Sequence, residues 1–244
     1  MATETSEETG PEPEGPAGEE LRTSPAARPG ADGDGREPDD DIDELYRRAR
    51  EHAERGELRK AAELYSDLLF HEPDHLRARN NLGYVYDRLG ETEKALQEYR
   101  EALELDPENV RLLTNVGASL GALGRYDEAE EYLNRALRID RGNPDAHLNL
   151  GLVYYRKGLY EEATEALNRA IESDPEKGMA YFYLGESYNR LGRVDQAMEA
   201  LEQAVQLQPA NGKAYYTLGI LYDRKKQPQR ASELYQKARE LSGE

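Results

Sequence analysis

The chain contains no cysteine and no tryptophan, and only two phenylalanines among its 244 residues. Without cysteine there is no disulfide, no thiolate zinc site and no cysteine nucleophile. Long hydrophobic runs are missing as well: nothing approaches the roughly 18 consecutive apolar residues of a membrane-spanning helix. The N-terminus, MATETSEETG, has neither the basic start nor the apolar stretch of a secretory signal. A cytoplasmic chain with no membrane insertion is the expectation. Basic charge is also in deficit, with 32 Lys and Arg against 50 Asp and Glu for a net charge of −18. Phosphate backbones repel such a surface, so nucleic acid is not expected as a partner. The four histidines, His52, His71, His75 and His147, are scattered. His71 and His75 have i,i+4 spacing but straddle Pro73, which argues against a helical metal pair. No phosphate-binding glycine loop or serine-nucleophile motif occurs. The expectation is a non-enzyme without cofactor or metal.

What the sequence does contain is a period of 34 residues. Gly83, Gly117, Gly151, Gly185 and Gly219 stand 34 apart, with Ala49 one period earlier. Ala61, Ala95, Ala129, Ala163, Ala197 and Ala231 form a second column; Leu68, Ala102, Ala136, Ala170, Ala204 and Ala238 form a third. Fixed-period self-similarity marks a stack of identical supersecondary units. Within one unit, Leu82, Tyr86 and Leu89, then Ala95, Leu96, Tyr99, Ala102 and Leu103, recur at helical spacing. Gly90 separates the two runs as a helix stop, and Pro107 closes the second, as do Pro73, Pro175 and Pro209. Each glycine column position costs about 1 kcal/mol of helix propensity against alanine. Close helix-to-helix approach, with facing alanines leaving room, is the expected compensation.

Residues 1–41 read differently. They hold thirteen acids against Arg22, Arg28 and Arg36, six of the twelve prolines, and no aromatic residue. Such a segment buries too little apolar surface to offset its ordering entropy, so a disordered acidic tail is predicted. Asp39, Asp40 and Asp41 are expected to cap a first helix starting at Ile42. A tail of that length would reach the early array, where Arg47, Arg50, Arg77 and Arg111 offer it positive charge.

The period, the Leu-Gly pairs (Leu82-Gly83, Leu150-Gly151, Leu184-Gly185, Leu218-Gly219), the tyrosine three residues on (Tyr86, Tyr154, Tyr188, Tyr222), the alanine columns and the closing proline together resemble the tetratricopeptide repeat (TPR) family. The resemblance covers residues 42–244 as six repeats: 42–75, 76–109, 110–143, 144–177, 178–211 and 212–244. It implies an all-α, right-handed superhelical solenoid of six helix-turn-helix units. Arg141 replaces a closing proline and Lys226 a turn glycine. Polar residues take over at both ends: Glu44, Arg48 and Glu51 stand where the next repeat has Ala78, Leu82 and Val85, and Ser232 and Arg239 stand where others have Leu96 and Leu103. Polar terminal repeats solubilise such arrays, so six repeats are expected to be the whole array.

The resemblance also implies that first helices line a concave groove. One groove column runs Arg47, Asn81, Asn115, Asn149, Tyr183, Thr217. Its asparagines resemble the amide ladder in the TPR arm of the O-GlcNAc transferases, where side-chain amides grip an extended peptide backbone; an amide offers both donors and acceptors to any main chain. Neighbouring columns place Asn80 and Tyr84 in the first half. Leu148, Leu152, Tyr155, Phe182, Tyr183 and Tyr216 gather in the second, where apolar anchors would dock. Arg88, Arg156 and Arg190, with Arg224, make a basic stripe that either steers acidic peptides or pairs with Asp87 and Asp223. A carboxylate clamp for chaperone tails is not found, because Tyr46 and Arg50 occupy two positions it needs. The expected partners are other proteins, held through a peptide or helical segment by an adaptor or co-chaperone-like scaffold. A self-associating homo-oligomeric scaffold, or an accessory subunit of an enzyme complex, is the alternative.

Overall fold

The computed structural model describes the backbone of residues 38–243 and the side chains from Asp41 onward. Of the tail expected over residues 1–41, residues 1–37 lie outside the described residues, and 38–41 belong to the first helix. Twelve α-helices follow one another, and no strand occurs among the described residues. They are α1 (Pro38–Glu54), α2 (Leu58–His71), α3 (Leu76–Leu89), α4 (Thr92–Leu105), α5 (Val110–Ala122), α6 (Tyr126–Ile139), α7 (Pro144–Lys157), α8 (Tyr160–Ser173), α9 (Gly178–Arg190), α10 (Val194–Leu207), α11 (Gly212–Arg224) and α12 (Pro228–Ser242). Because α1 begins at Pro38, Asp39 to Asp41 fall inside its first turn rather than before it.

Each odd-numbered helix folds back on the even-numbered helix after it, and each even-numbered helix stacks on the next odd one. The odd-numbered helices also meet one another, α5 with α7 and α7 with α9, and so form the inner layer of a TPR solenoid. The hairpin turns share one device. Gly56, Gly90, Gly124, Gly158 and Gly192 adopt φ between +74° and +79°, the left-handed region that closes a helix. Lys226, the sixth member of this series, is driven to φ +59° by the same turn. Four of the first helices are capped by side chains at their N-termini. His75, Asn109, Asn143 and Asn211 each accept the backbone N–H three residues on, at 2.9–3.2 Å.

The alanine columns are buried throughout. The glycine column brings the helices of a hairpin together, with the Ala129 and Ala197 carbonyls 3.3 and 3.1 Å from where a Cβ on Gly117 or Gly185 would stand, but a larger side chain lies nearer still. A Cβ on Gly117, Gly151 or Gly185 would stand 2.5–2.6 Å from Cγ of Leu133, Leu167 or Leu201; on Gly83 or Gly219 it would meet the ring of Tyr99 or Tyr235 at 2.6 or 2.5 Å. The missing side chain thus admits a large apolar residue sixteen positions later. At the start of the array Arg48 is exposed, and Arg47 pairs with both Glu44 and Glu51. At the other end Ser232 and Arg239 are exposed.

Candidate functional site: the concave face

The concave face divides at α7. In its first half the amides bond to one another. Asn115 Nδ2 donates to Asn80 Oδ1 at 3.1 Å, and Asn80 Nδ2 donates to Asn81 Oδ1 at 3.3 Å. Asn81 Nδ2 then donates to the hydroxyls of Tyr46 (3.1 Å) and Tyr65 (3.2 Å). This relay joins α1, α3 and α5 and ends on Tyr65, which is buried. Both N–H groups of Asn81 are therefore used inside the protein. Of the three predicted ladder positions, Asn149 alone makes no side-chain hydrogen bond among the described residues, so the amides are not equivalent. Tyr84 beside the relay is exposed.

In the second half, aromatic rings succeed one another. Tyr155 packs against Tyr160 and Tyr183 at 5.7 and 5.5 Å, and Tyr183 against Phe182 at 5.0 Å. Phe182 is no exposed anchor: it is 7% exposed, in a core shared with Ala214 and Leu218, because α11 lies across it. Leu148 is likewise half-buried against its neighbours. Tyr216 remains open at 56% exposure. The Tyr155 hydroxyl donates to Glu186 Oε2 at 3.3 Å. Burial first, then that carboxylate, hold it above the usual tyrosine range.

The basic stripe does not pair with Asp87 and Asp223. Asp87 instead accepts the hydroxyls of Tyr99 (3.2 Å) and Ser119 (3.1 Å), and Asp223 accepts Tyr235 at 2.9 Å. Arg224 donates to Asn189 at 2.9 Å, and Arg190 shares the Tyr155 hydroxyl. Arg88 and Arg156 make no ion pair or side-chain hydrogen bond among the described residues. Arg47 and Arg50, expected to attract the tail, pair locally with Glu44, Glu51 and Glu54.

Between the two halves lies a hollow of about 240 Å³. Asn149, Leu152, Val153 and Arg156 of α7 form one wall, Gly117, Ala118, Gly121 and Ala122 of α5 the other, with Tyr126 at the base. The α5 wall leaves space because its side chains are small. Where α5 has Ala118, Gly121 and Ala122, α3 has Tyr84, Asp87 and Arg88, and α7 has Leu152, Tyr155 and Arg156. Sequence reasoning found Asn149, Leu152 and Arg156 but missed the opposite wall, although the small residues stood in the same columns.

Groups of three or more acidic or histidine side chains able to hold a metal are absent among the described residues, and no described helix is long and apolar enough to cross a membrane. A family model, that of the cilia and flagella-associated protein 70 C-terminal domain, matches residues 20–244. The chain belongs to that family. No curated protein matches its sequence. Solved structures similar to this member of the family are TPR-like solenoids. MamA is 28% identical over 66% of this chain and 95% of its own, with a TM-score of 0.58. YrrB, described as a TPR protein with an unusual peptide-binding site, is 25% identical over 75% of this chain and 94% of its own, with a TM-score of 0.55. A tetratricopeptide repeat protein from Parabacteroides merdae ATCC 43184 shares the fold at a TM-score of 0.68, with 24% identity over 82% of this chain and 78% of its own. The hollow at Ala118 thus lies on the concave face of a TPR member of the cilia and flagella-associated protein 70 C-terminal domain family.

Proposed function

We propose that this chain is a non-enzymatic protein-interaction module that captures an extended segment of a partner protein along its concave face. The observation that carries the reading is the hollow between α5 and α7. It joins an amide free to pair with a main chain (Asn149), an apolar wall (Leu152, Val153) and an unpaired cation (Arg156) within one side-chain-sized space. A peptide with one apolar residue flanked by a carboxylate matches these three groups. YrrB, a similar fold with its own peptide-binding site, supports the same class of ligand. The amide relay of the first half serves as the rigid border of this site rather than as its grip.

Peptides selected from a displayed library against the intact chain test this reading. Ala118→Tyr installs the residue that α3 carries in the same column and fills the hollow. It should weaken the selected peptides at least tenfold in calorimetry, and Asn149→Ala should weaken them severalfold. Peptides that bind Ala118→Tyr as tightly as the unaltered chain would place the site elsewhere.

A further inference from the structure

Among the described residues, the stacking of the solenoid leaves one seat uncovered. Every second helix from α2 to α10 is covered by the next first helix. The face of α12 that corresponds to those covered faces has no helix on it among the described residues. The effect shows in one column. Phe182 of α9 is 7% exposed beneath α11, and Tyr216, its counterpart one period later, is 56% exposed. Beside Tyr216 lies a cavity of about 650 Å³. Tyr235 and Ala238 of α12, with Tyr216 and Thr217 of α11, give it an apolar floor.

The rim of this cavity is charged in a way the internal junctions are not. Arg239 occupies the column that holds Leu69, Leu103, Leu137, Ile171 and Val205. Neither Arg239 nor Lys213, which also lines the cavity, has an ion pair or side-chain hydrogen bond among the described residues. Two unpaired cations beside an apolar floor stand out in a chain of net charge −18. Glu186 lines the inner edge, and its Oε1 is buried without a hydrogen-bond partner.

We infer that the open face of α11 and α12 is a docking seat for one amphipathic helix of a partner protein, which adds to the array as a further first helix. The charges specify the chemistry of that helix: an apolar stripe over Tyr216, Tyr235 and Ala238, and a carboxylate toward Arg239 and Lys213. Charge-matched continuation of an existing repeating interface is the argument for this occupant. A second copy of the chain fits poorly, because α1 would bring Arg48 against the apolar floor, and Glu44 and Glu51 are already paired with Arg47. This seat lies away from the hollow at Ala118, so each can be disabled without the other.

The probe is a stapled helical peptide with the sequence of α11, residues 212–224, the helix that takes the equivalent seat on α10. Two forms are compared against the full chain: the natural sequence and the same peptide carrying K213E. The acidic form should bind at least fivefold more tightly, with NMR shifts on α12 and Tyr216, and Arg239→Glu, an exposed change that spares the fold, should reverse the order. Ala118→Tyr should leave this binding unchanged. Equal affinity of the two peptides, insensitivity to Arg239→Glu, or shifts centred on Asn149 and Arg156 would overturn the inference. So would concentration-dependent association of the chain alone that Arg239→Glu abolishes, since the occupant would then be a second copy.

Discussion

The two halves of the concave face use the same helix positions for opposite purposes. From α1 to α5, polar side chains satisfy one another: Asn115, Asn80, Asn81, Tyr46 and Tyr65 form a closed relay of hydrogen bonds. From α7 onward the amide column loses its partners: Asn149 is unbonded, beside an unpaired Arg156, while Arg190 and Arg224 are engaged with Tyr155 and Asn189. A polar residue on a groove is therefore not by itself a ligand contact. What decides is whether a neighbouring repeat supplies a partner, because an amide with its hydrogens in use has little left to offer a peptide.

The contrast is tested most strongly by the same substitution in each half. Asn81→Ala removes the centre of the relay and leaves the Tyr65 hydroxyl without its donor, which should cost about 2 kcal/mol in urea denaturation. Asn149→Ala should change stability by less than about 0.5 kcal/mol while lowering peptide affinity. Equal stability losses would erase the distinction. A smaller gain is expected at the turn before α12. Replacing Lys226, the non-glycine residue held at φ +59°, by glycine should raise stability by roughly 0.5–1 kcal/mol. A thermal midpoint that does not rise would mean that the Lys226 turn is unstrained.

The repeated Asp–Tyr pair gives two finer tests through pH. Burial holds the Asp87 carboxyl above its usual value, against the opposing hydrogen bonds from Ser119 and Tyr99. A group raised in this way binds its proton more tightly when folded. Its contribution is complete below about pH 4 and is lost as pH rises through the folded value. Asp87→Asn should therefore flatten part of the fall in urea midpoint as pH rises from about 4 toward neutrality. In the other half, burial and then the Asp223 carboxylate push the Tyr235 hydroxyl up to about 12. Its contribution is present below about pH 10 and lost as pH rises through the folded value. Tyr235→Phe should make alkaline unfolding less steep in circular dichroism, and an unchanged profile would show that the pair does not titrate with folding.

The solenoid is legible in the sequence because each hairpin repeats the same packing problem. The glycine column announces a close approach, and the turn residue before each second helix announces a left-handed turn, including the misfit at Lys226. The alanine columns point to only part of the contact across each glycine, because Leu133 or Tyr99 comes nearer than the alanine backbone. Asp87 and Asp223 look like partners for arginine in the sequence, yet both hold tyrosine. The choice between Asp–Tyr and Asp–Arg depends on which residue stands twelve positions on: that column holds tyrosine at Tyr65, Tyr99 and Tyr235 and leucine at Leu133, Leu167 and Leu201, and only Tyr99 and Tyr235 follow an aspartate by twelve. The hollow is the hardest feature to anticipate. It arises from what Ala118, Gly121 and Ala122 lack, and a missing side chain matters only once the facing helix is in place.

The glycine contact has a further consequence for how such a molecule changes over time. Gly117, Gly151 and Gly185 meet Leu133, Leu167 and Leu201 in nearly identical geometry. Each of these three hairpins therefore closes on itself by the same contact, and splicing in or removing 34 residues between α5 and α10 keeps that internal contact whole. The middle of the array is a set of exchangeable cassettes, and its length is a trait that duplication can alter one hairpin at a time. On either side of the cassettes stand the Asp–Tyr pairs of α3–α4 and α11–α12, whose glycines meet tyrosine rather than leucine.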